Sequence, residues 1–181
     1  YSFHKKVLEL LIAKTNLVFY NISIVTGSKR AFFRIIGDFH ESLKDIIVWQ
    51  KPQGCPALAK GVLNRTTELI LIFDKNNAKK RTFDTYNFGQ GSLNDLWSIG
   101  RDKNNFCENR ASFPVAIPQK ILDNFGRKYS RVLDPFLGTG TTGIAAHDYY
   151  CDFTGIELDQ KTYEYAKNRI ENHKKQLRLF T

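Results

Sequence analysis

At 181 residues, with 42% hydrophobic and 25% charged content, the chain is long enough for one globular domain with a real core and too ordinary in charge for disorder. Its 27 basic residues outnumber 18 acidic ones, a net +9 with pI near 9.5, which favours a polyanionic partner, nucleic acid first, through counterion release. Cys55, Cys107 and Cys151 are odd in number and never spaced as CxxC, so they support neither a disulfide framework nor a zinc site; a soluble protein of the reducing cytoplasm is expected, since no apolar run approaches the roughly 20 residues of a membrane span.

Residues 3–14 place Val7, Leu8, Leu11 and Ile12 on one face at the helical period, which predicts an amphipathic helix. Residues 17–25, LVFYNISIV, are too apolar and β-branched for a surface strand and predict a central one, stopped by Gly27 and Ser28. A helix follows over 29–39, with Phe32, Phe33, Ile36 and Phe39 expected inward. Residues 45–50, DIIVWQ, and 68–73, ELILIF, read as two further buried strands. Trp49 and Lys51 stand at the end of the first of these, as a core tryptophan and a solvated lysine or as residues facing a base pocket. The chain contains no Met and opens on Tyr1 inside a helical pattern, so it is expected to be a fragment that continues upstream.

Between Phe73 and Ala111 regularity breaks down into a stretch rich in Asn, Gly, Lys and Arg. That length is uncommon in a compact domain unless it is functional or mobile. Phe83, Tyr86, Phe88 and Trp97 interleave here with Lys79, Lys80, Arg81 and Arg101, a mixture that suits phosphate contact and base stacking as well as a plain solvated loop. The four cations are the candidate DNA contacts. Ser112-Phe113-Pro114 then leads to a helix over 118–125 with proline at an early position.

The densest chemistry lies at residues 131–159, RVLDPFLGTGTTGIAAHDYYCDFTGIELD. A buried strand ends in Asp134-Pro135, and Gly138-Thr139-Gly140-Thr141-Thr142-Gly143 turns into a helical pattern, as a ligand loop does. A second strand over 152–156 ends in Glu157, where a carboxylate can accept from a ribose hydroxyl pair, so a nucleoside-containing cofactor is expected. A basic amphipathic helix over 161–177 closes the chain, with Tyr165, Ile170 and Leu177 inward. The Gly138-x-Gly140-x-x-Gly143 spacing also fits NAD, but in ordinary doubly wound folds the glycine strand comes first, whereas here three strands precede it. No Gly-Lys-Ser/Thr follows, which excludes a P-loop. His4, His40, His147 and His173 are scattered and take no role.

Asp134-Pro135-Phe136-Leu137-Gly138-Thr139-Gly140-Thr141-Thr142 and Gly155-Ile156-Glu157-Leu158-Asp159 resemble the first and second cofactor motifs of the DNA methyltransferases that use S-adenosylmethionine to modify an exocyclic amino group, in the class whose cofactor motif follows the catalytic half. Ser112-Phe113-Pro114 is similar to the segment that closes over the cofactor, and residues 45–52 and 68–73 resemble two strands of the catalytic half. The resemblance implies an α/β fold with a Rossmann-like, mostly parallel sheet, helices on both faces and a circularly permuted motif order. It implies one domain over 1–181, with 1–75 in the catalytic half, 76–110 as a target-recognition loop region and 111–181 as the cofactor-binding half.

The same resemblance assigns roles. Phe113, Pro114, Asp134, Pro135, Phe136, Gly138, Gly140, Thr141, Thr142 and Glu157 become cofactor-binding residues: backbone amides of residues 136–140 near the methionine part, Glu157 on the ribose hydroxyls, Phe113 packed against the cofactor, Asp134 orienting the loop or the methionine amine. The implied activity is site-specific methylation of adenine N6 or cytosine N4 in double-stranded DNA, with a homodimer or a restriction-modification partner. In that family an Asp/Asn/Ser-Pro-Pro-aromatic tetrapeptide binds the target amine of a flipped base. No such tetrapeptide occurs among these residues, so catalytic residues are unassigned and its expected place is upstream of Tyr1. A catalytically incomplete remnant that binds cofactor or DNA, or one part of a heteromeric methyltransferase, is the alternative.

Overall fold

The computed structural model describes residues 1–25, 27–52, 60–100 and 112–178. Among the described residues the elements follow in chain order: α1 (Ser2–Lys14), β1 (Val18–Ile22), α2 (Lys29–Asp38), β2 (Leu43–Gln50), β3 (Thr67–Phe73), β4 (Leu96–Ser98), α3 (Ala116–Phe125), β5 (Arg131–Asp134), α4 (Thr141–Asp148), β6 (Asp152–Gly155) and α5 (Gln160–Arg178). Contacts divide the chain into two compact units, one of Tyr1–Asp84 with Gln90–Ile99, the other of Thr85–Gly89 with Gly100–Thr181.

The first unit is built on a four-stranded sheet in the order β1-β3-β2-β4. β3 pairs antiparallel with β1 and with β2, and β2 pairs parallel with β4, so this sheet is mixed where the sequence leads one to expect a mostly parallel one. The β2–β3 connection, residues 51–66, is long enough for either strand sense, and an apolar run reads the same in both directions, so the sequence pattern does not fix the antiparallel pairing. β1 stands at one end of the order, not at its centre, and its burial alternates over Val18, Phe19 and Tyr20. The central strand is β3, whose Ile70, Leu71, Ile72 and Phe73 are all at most 1% exposed. These four side chains alternate between faces yet are buried on both, which explains the unbroken apolar run; each contributes roughly 1.5–3 kcal/mol.

α1 and α2 cover one face of that sheet. Leu8 and Ile12 of α1, and Phe32 and Ile35 of α2, pack with Val18, Tyr20, Leu71 and Phe73 in one cluster. Phe33, expected inward, is 65% exposed, and Ile35 takes the buried place instead. One residue on a helix turns the side chain by about 100°, so only one of two neighbouring phenylalanines can follow Phe32's direction. Lys51 also departs from expectation, because it is 6% exposed and ion-paired to Glu68, whose other oxygen accepts from Asn21 Nδ2 at 2.9 Å. Trp49 is 2% exposed, a core tryptophan whose indole N–H donates to the Ile99 carbonyl at 2.8 Å.

Part of the irregular stretch is structured after all. Trp97 is fully buried in β4, which is paired to β2, and Phe88 packs edge-on against Phe125 at 5.5 Å. These two aromatics therefore serve packing, while Tyr86 stays 56% exposed. Residues 101–111, including Arg101, lie outside the described residues.

The second unit pairs β5 with β6 in parallel, Asp134 opposite Gly155. Leu122 of α3 and Ala145 and Ala146 of α4 form its cluster, with Val132 and Phe153 from the strands packed against it. α3 begins at Ala116, two residues before Pro118, which falls in the first turn where its missing N–H breaks no helical bond. No helix among the described residues is long and apolar enough to cross a membrane.

Candidate functional site

The parallel β5–β6 pair sets two chain ends side by side, and the glycine loop and Glu157 emerge from them. Ile156 N–H donates to the Asp134 carbonyl and Leu137 N–H to the Ile156 carbonyl, both at 2.9 Å, so the ladder runs on past the strands into the loop. Glu157 then closes the arrangement. Its Oε2 accepts from Gly138 N–H at 2.9 Å, and its Oε1 accepts from Leu158 N–H at 2.9 Å and Asp159 N–H at 3.0 Å. A carboxylate has about four lone-pair sites. Three are used here, and one remains for a hydroxyl donor.

Asp134 Oδ1 accepts from Phe136 N–H at 2.9 Å, which caps the turn through Pro135. Gly140 N–H donates to the Leu137 carbonyl at 2.9 Å. The amides of Phe136, Leu137, Gly138 and Gly140 are therefore all engaged within the protein. That differs from a loop whose amides wait for a ligand, and it makes this one rigid.

The glycines divide the work. Gly138 (φ +51°) has only the Phe136 carbonyl at 3.7 Å near its missing side chain, so its outer face is open. Gly140 (φ +81°) would place a Cβ 3.2 Å from the Ala166 carbonyl, and Gly143 would place one 2.5 Å from Ile170 Cδ1 and 2.8 Å from the Phe153 ring. Gly138 leaves room for a ligand; the other two let α5 approach the start of α4.

A polar knot holds the loop from beneath. Thr139 and Thr141, 7% and 4% exposed, share hydroxyl contacts with Ser112, which lies 2.9 Å from Thr139 Oγ1. Arg169 of α5 donates to the Thr139 carbonyl at 3.0 Å and reaches the Thr139 and Thr141 hydroxyls at 3.4 and 3.3 Å. Arg169 was not among the expected site residues, since it is one cation among many in a basic amphipathic helix. The signal was its spacing: positions 166, 169, 170 and 173 share one helical face, and Ala166 and Ile170 on that face meet Gly140. Asp159 caps α5 by accepting from Thr162 N–H at 2.8 Å, and the Thr162 hydrogen bonds hold its carboxyl below the usual value.

The remaining expected residues fall as follows. Pro114 is fully buried and its carbonyl accepts from Ile117 N–H as α3 begins; Phe113 is half-buried beside Ser112. Phe136 is 47% exposed beside the loop, and Thr142 sits in the first turn of α4. All ten expected cofactor residues thus lie in the second unit. Lys79, Lys80 and Arg81 lie in the first, exposed on a turn that Lys44 fastens by donating to the carbonyls of Asn77 (2.6 Å), Lys80 and Thr82 (2.7 Å). Lys79 is paired to Glu41 at 2.8 Å, which raises the lysine's pKa and lowers the glutamate's.

Comparison with known proteins extends this geometry. A family model described as DNA methylase matches residues 1–168. Type II methyltransferase M2.LlaDCHI of Lactococcus lactis subsp. cremoris is 31% identical over 134 residues, covering 68% of this chain and 49% of that protein. Type II methyltransferase M.MjaI of Methanocaldococcus jannaschii is 32% identical over 144 residues, covering 68% and 48%. The chain spans about half the length of the curated relatives it matches.

Among solved structures, the cytosine-N4-specific PvuII DNA methyltransferase matches with a TM-score of 0.65 at 15% identity, over 87% of this chain and 67% of that one. The M1.HpyAVI–SAM complex matches with a TM-score of 0.62 at 22% identity, over 84% and 73%. These likenesses are of fold, a Rossmann-like α/β architecture. With the family match running through residues 1–168, the chain belongs to the N6/N4 DNA methylase family.

Proposed function

We propose that the chain is the cofactor-carrying part of an S-adenosylmethionine-dependent DNA amino-methyltransferase that modifies adenine N6 or cytosine N4. The observation that carries this reading is Glu157. Its carboxylate is fastened to Gly138 N–H at 2.9 Å, beside the open face of that glycine, and keeps an acceptor site for a ribose hydroxyl. The M1.HpyAVI structure of the same fold is a complex with SAM, which supports an adenosyl ligand over a nicotinamide one. The positive end of α4 and the Arg169 guanidinium both put positive potential on the loop, which suits the carboxylate of a methionine moiety. Phe113, Pro114, Asp134, Pro135, Phe136, Gly138, Gly140, Thr141 and Thr142 shape the rest of that site, Gly140 and Thr141 from behind it.

In this reading the sulfonium is already an activated donor, and the protein supplies in-line placement of donor and amine. The acceptor amine is held by a Pro-Pro-aromatic segment from outside these 181 residues, in the same polypeptide or a partner chain. The motif order is the permuted one, and residues 1–75, 76–110 and 111–181 serve as catalytic half, recognition region and cofactor half of one domain. Lys79, Lys80, Arg81 and Arg101 contact the phosphates of double-stranded DNA, consistent with a net charge of +9. The type II relatives support a cytoplasmic restriction-modification role with a second copy or a restriction endonuclease as partner.

The test is methyl transfer by the protein in its native polypeptide context, from tritiated S-adenosylmethionine to unmethylated DNA, followed by hydrolysis and base analysis. Label in N6-methyladenine or N4-methylcytosine is expected. Cofactor binding without label in any DNA overturns the enzymatic reading in favour of a binding module.

A further inference from the structure

Beyond the glycine loop, α4 ends in His147 and Asp148, and α5 brings His173 up to them. His173 Nε2 lies 2.6 Å from Asp148 Oδ1, and His147 Nδ1 lies 3.5 Å from the same oxygen. One ligand atom from each of the three lies within 4.8 Å of the others. A histidine–aspartate hydrogen bond accounts for two of these groups and leaves the third unexplained. His147 Nδ1 is sealed from water and has no hydrogen-bond partner among the described residues. A buried polar atom left unmet is costly, and a bound ion would meet it.

We propose that His147 Nδ1, Asp148 Oδ1 and His173 Nε2 bind one divalent ion of the zinc class. Two imidazoles and one carboxylate suit zinc, cobalt or nickel; calcium and magnesium prefer all-oxygen sets. Metal–ligand bonds of about 2.0–2.2 Å set ligand atoms roughly 3.3–3.6 Å apart in a tetrahedral site, so the 3.5 Å pair already matches, the 2.6 Å pair must open, and the three atoms, within 4.8 Å of one another, must settle around the ion by side-chain rotation. The carboxylate is oriented from outside, since its Oδ2 accepts from Gln119 Nε2 at 3.4 Å. Gln119, Asp148 and His173 also line an open groove with Tyr165 and Asn172, which gives the ion an entry path and leaves its fourth position to water.

Binding replaces the His173–Asp148 hydrogen bond with metal–ligand bonds and ties α4 to α5. His173 is one helical turn beyond Arg169, so the ion fixes the helix whose guanidinium holds the Thr139 carbonyl. The histidines are scattered along the sequence, and the ligands converge only in the fold.

The test uses the whole protein, freed of metal by a chelator, titrated with Co²⁺ and back-titrated with Zn²⁺. One equivalent should give a visible ligand-field band without thiolate charge-transfer absorption, and one equivalent of Zn²⁺ should remove it. Asp148→Asn, His147→Gln and His173→Asn should each weaken Zn²⁺ binding by more than about tenfold while their metal-free circular dichroism stays that of the parent. Should a histidine variant fail to fold, Zn²⁺ protection of His147 and His173 from diethyl pyrocarbonate in the parent protein, read by mass spectrometry, decides the matter. No band, a band with thiolate character, unchanged affinity in the folded variants, or no protection of either histidine overturns the proposal.

Discussion

Glu157 carries more of the architecture than a ligand contact would require. Its two oxygens take three backbone N–H groups, one of them from the glycine loop 19 positions earlier, so one carboxylate sets both the loop position and the start of the last helical segment. Glu157→Gln keeps an acceptor oxygen but loses the charge and one acceptor, and a hydrogen bond to a charged group contributes about 1.5–3 kcal/mol. S-adenosylhomocysteine affinity should therefore fall by roughly tenfold to a hundredfold, measured by calorimetry, with the parent's circular dichroism spectrum retained. Asp159 makes a pH-dependent contribution. Its carboxyl is held below its ordinary value by the Thr162 hydrogen bonds, so the stabilisation is complete above the unfolded value near 3.9 and is lost as pH falls through the folded one. Asn caps a helix about as well as Asp and does not titrate. Urea midpoints of Asp159→Asn should fall less steeply than the parent's below about pH 4; equal slopes would remove Asp159 from the account.

At the scale of elements, helical periodicity was legible and strand partnership was not. The spacing of Leu8 and Ile12 gave α1, and the turn from Asp134 through Gly140 into Thr141 gave the β5–α4 junction. The pairing of β2 with β3, by contrast, depends on a long-range return that no local pattern encodes, and β4 is only Leu96–Ser98, too short to carry a period. On α2 both adjacent aromatics were expected inward, and the fold buries Phe32 and exposes Phe33. Phe32→Ala should cost about 3–5 kcal/mol in urea unfolding, and Phe33→Ala, at 65% exposure, should stay within about 0.5 kcal/mol. Equal losses would contradict the orientation of α2. Arg169 was hard to read for a related reason: the spacing that puts it on the face of Ala166 and Ile170 becomes informative only once those residues are seen against Gly140 and Gly143.

Across the whole molecule, the chain combines a mixed four-stranded sheet with a parallel β5–β6 pair that carries the glycine loop, and the family match runs through both units. The cofactor motifs were legible in sequence because close backbone approach requires glycine and a turn requires its Asx cap, both local demands. The engaged amides of residues 136–138 and 140 were not legible, since their acceptors come from Asp134 of β5, from Ile156 and Glu157 just beyond β6, and from the loop itself. The central claim is that this loop and Glu157 hold an adenosyl group bearing a methionine moiety. Isothermal calorimetry of the protein with S-adenosylhomocysteine and, separately, with NAD tests it most directly. The account predicts saturable 1:1 binding of S-adenosylhomocysteine and no heat from NAD; NAD binding with no response to S-adenosylhomocysteine would contradict it.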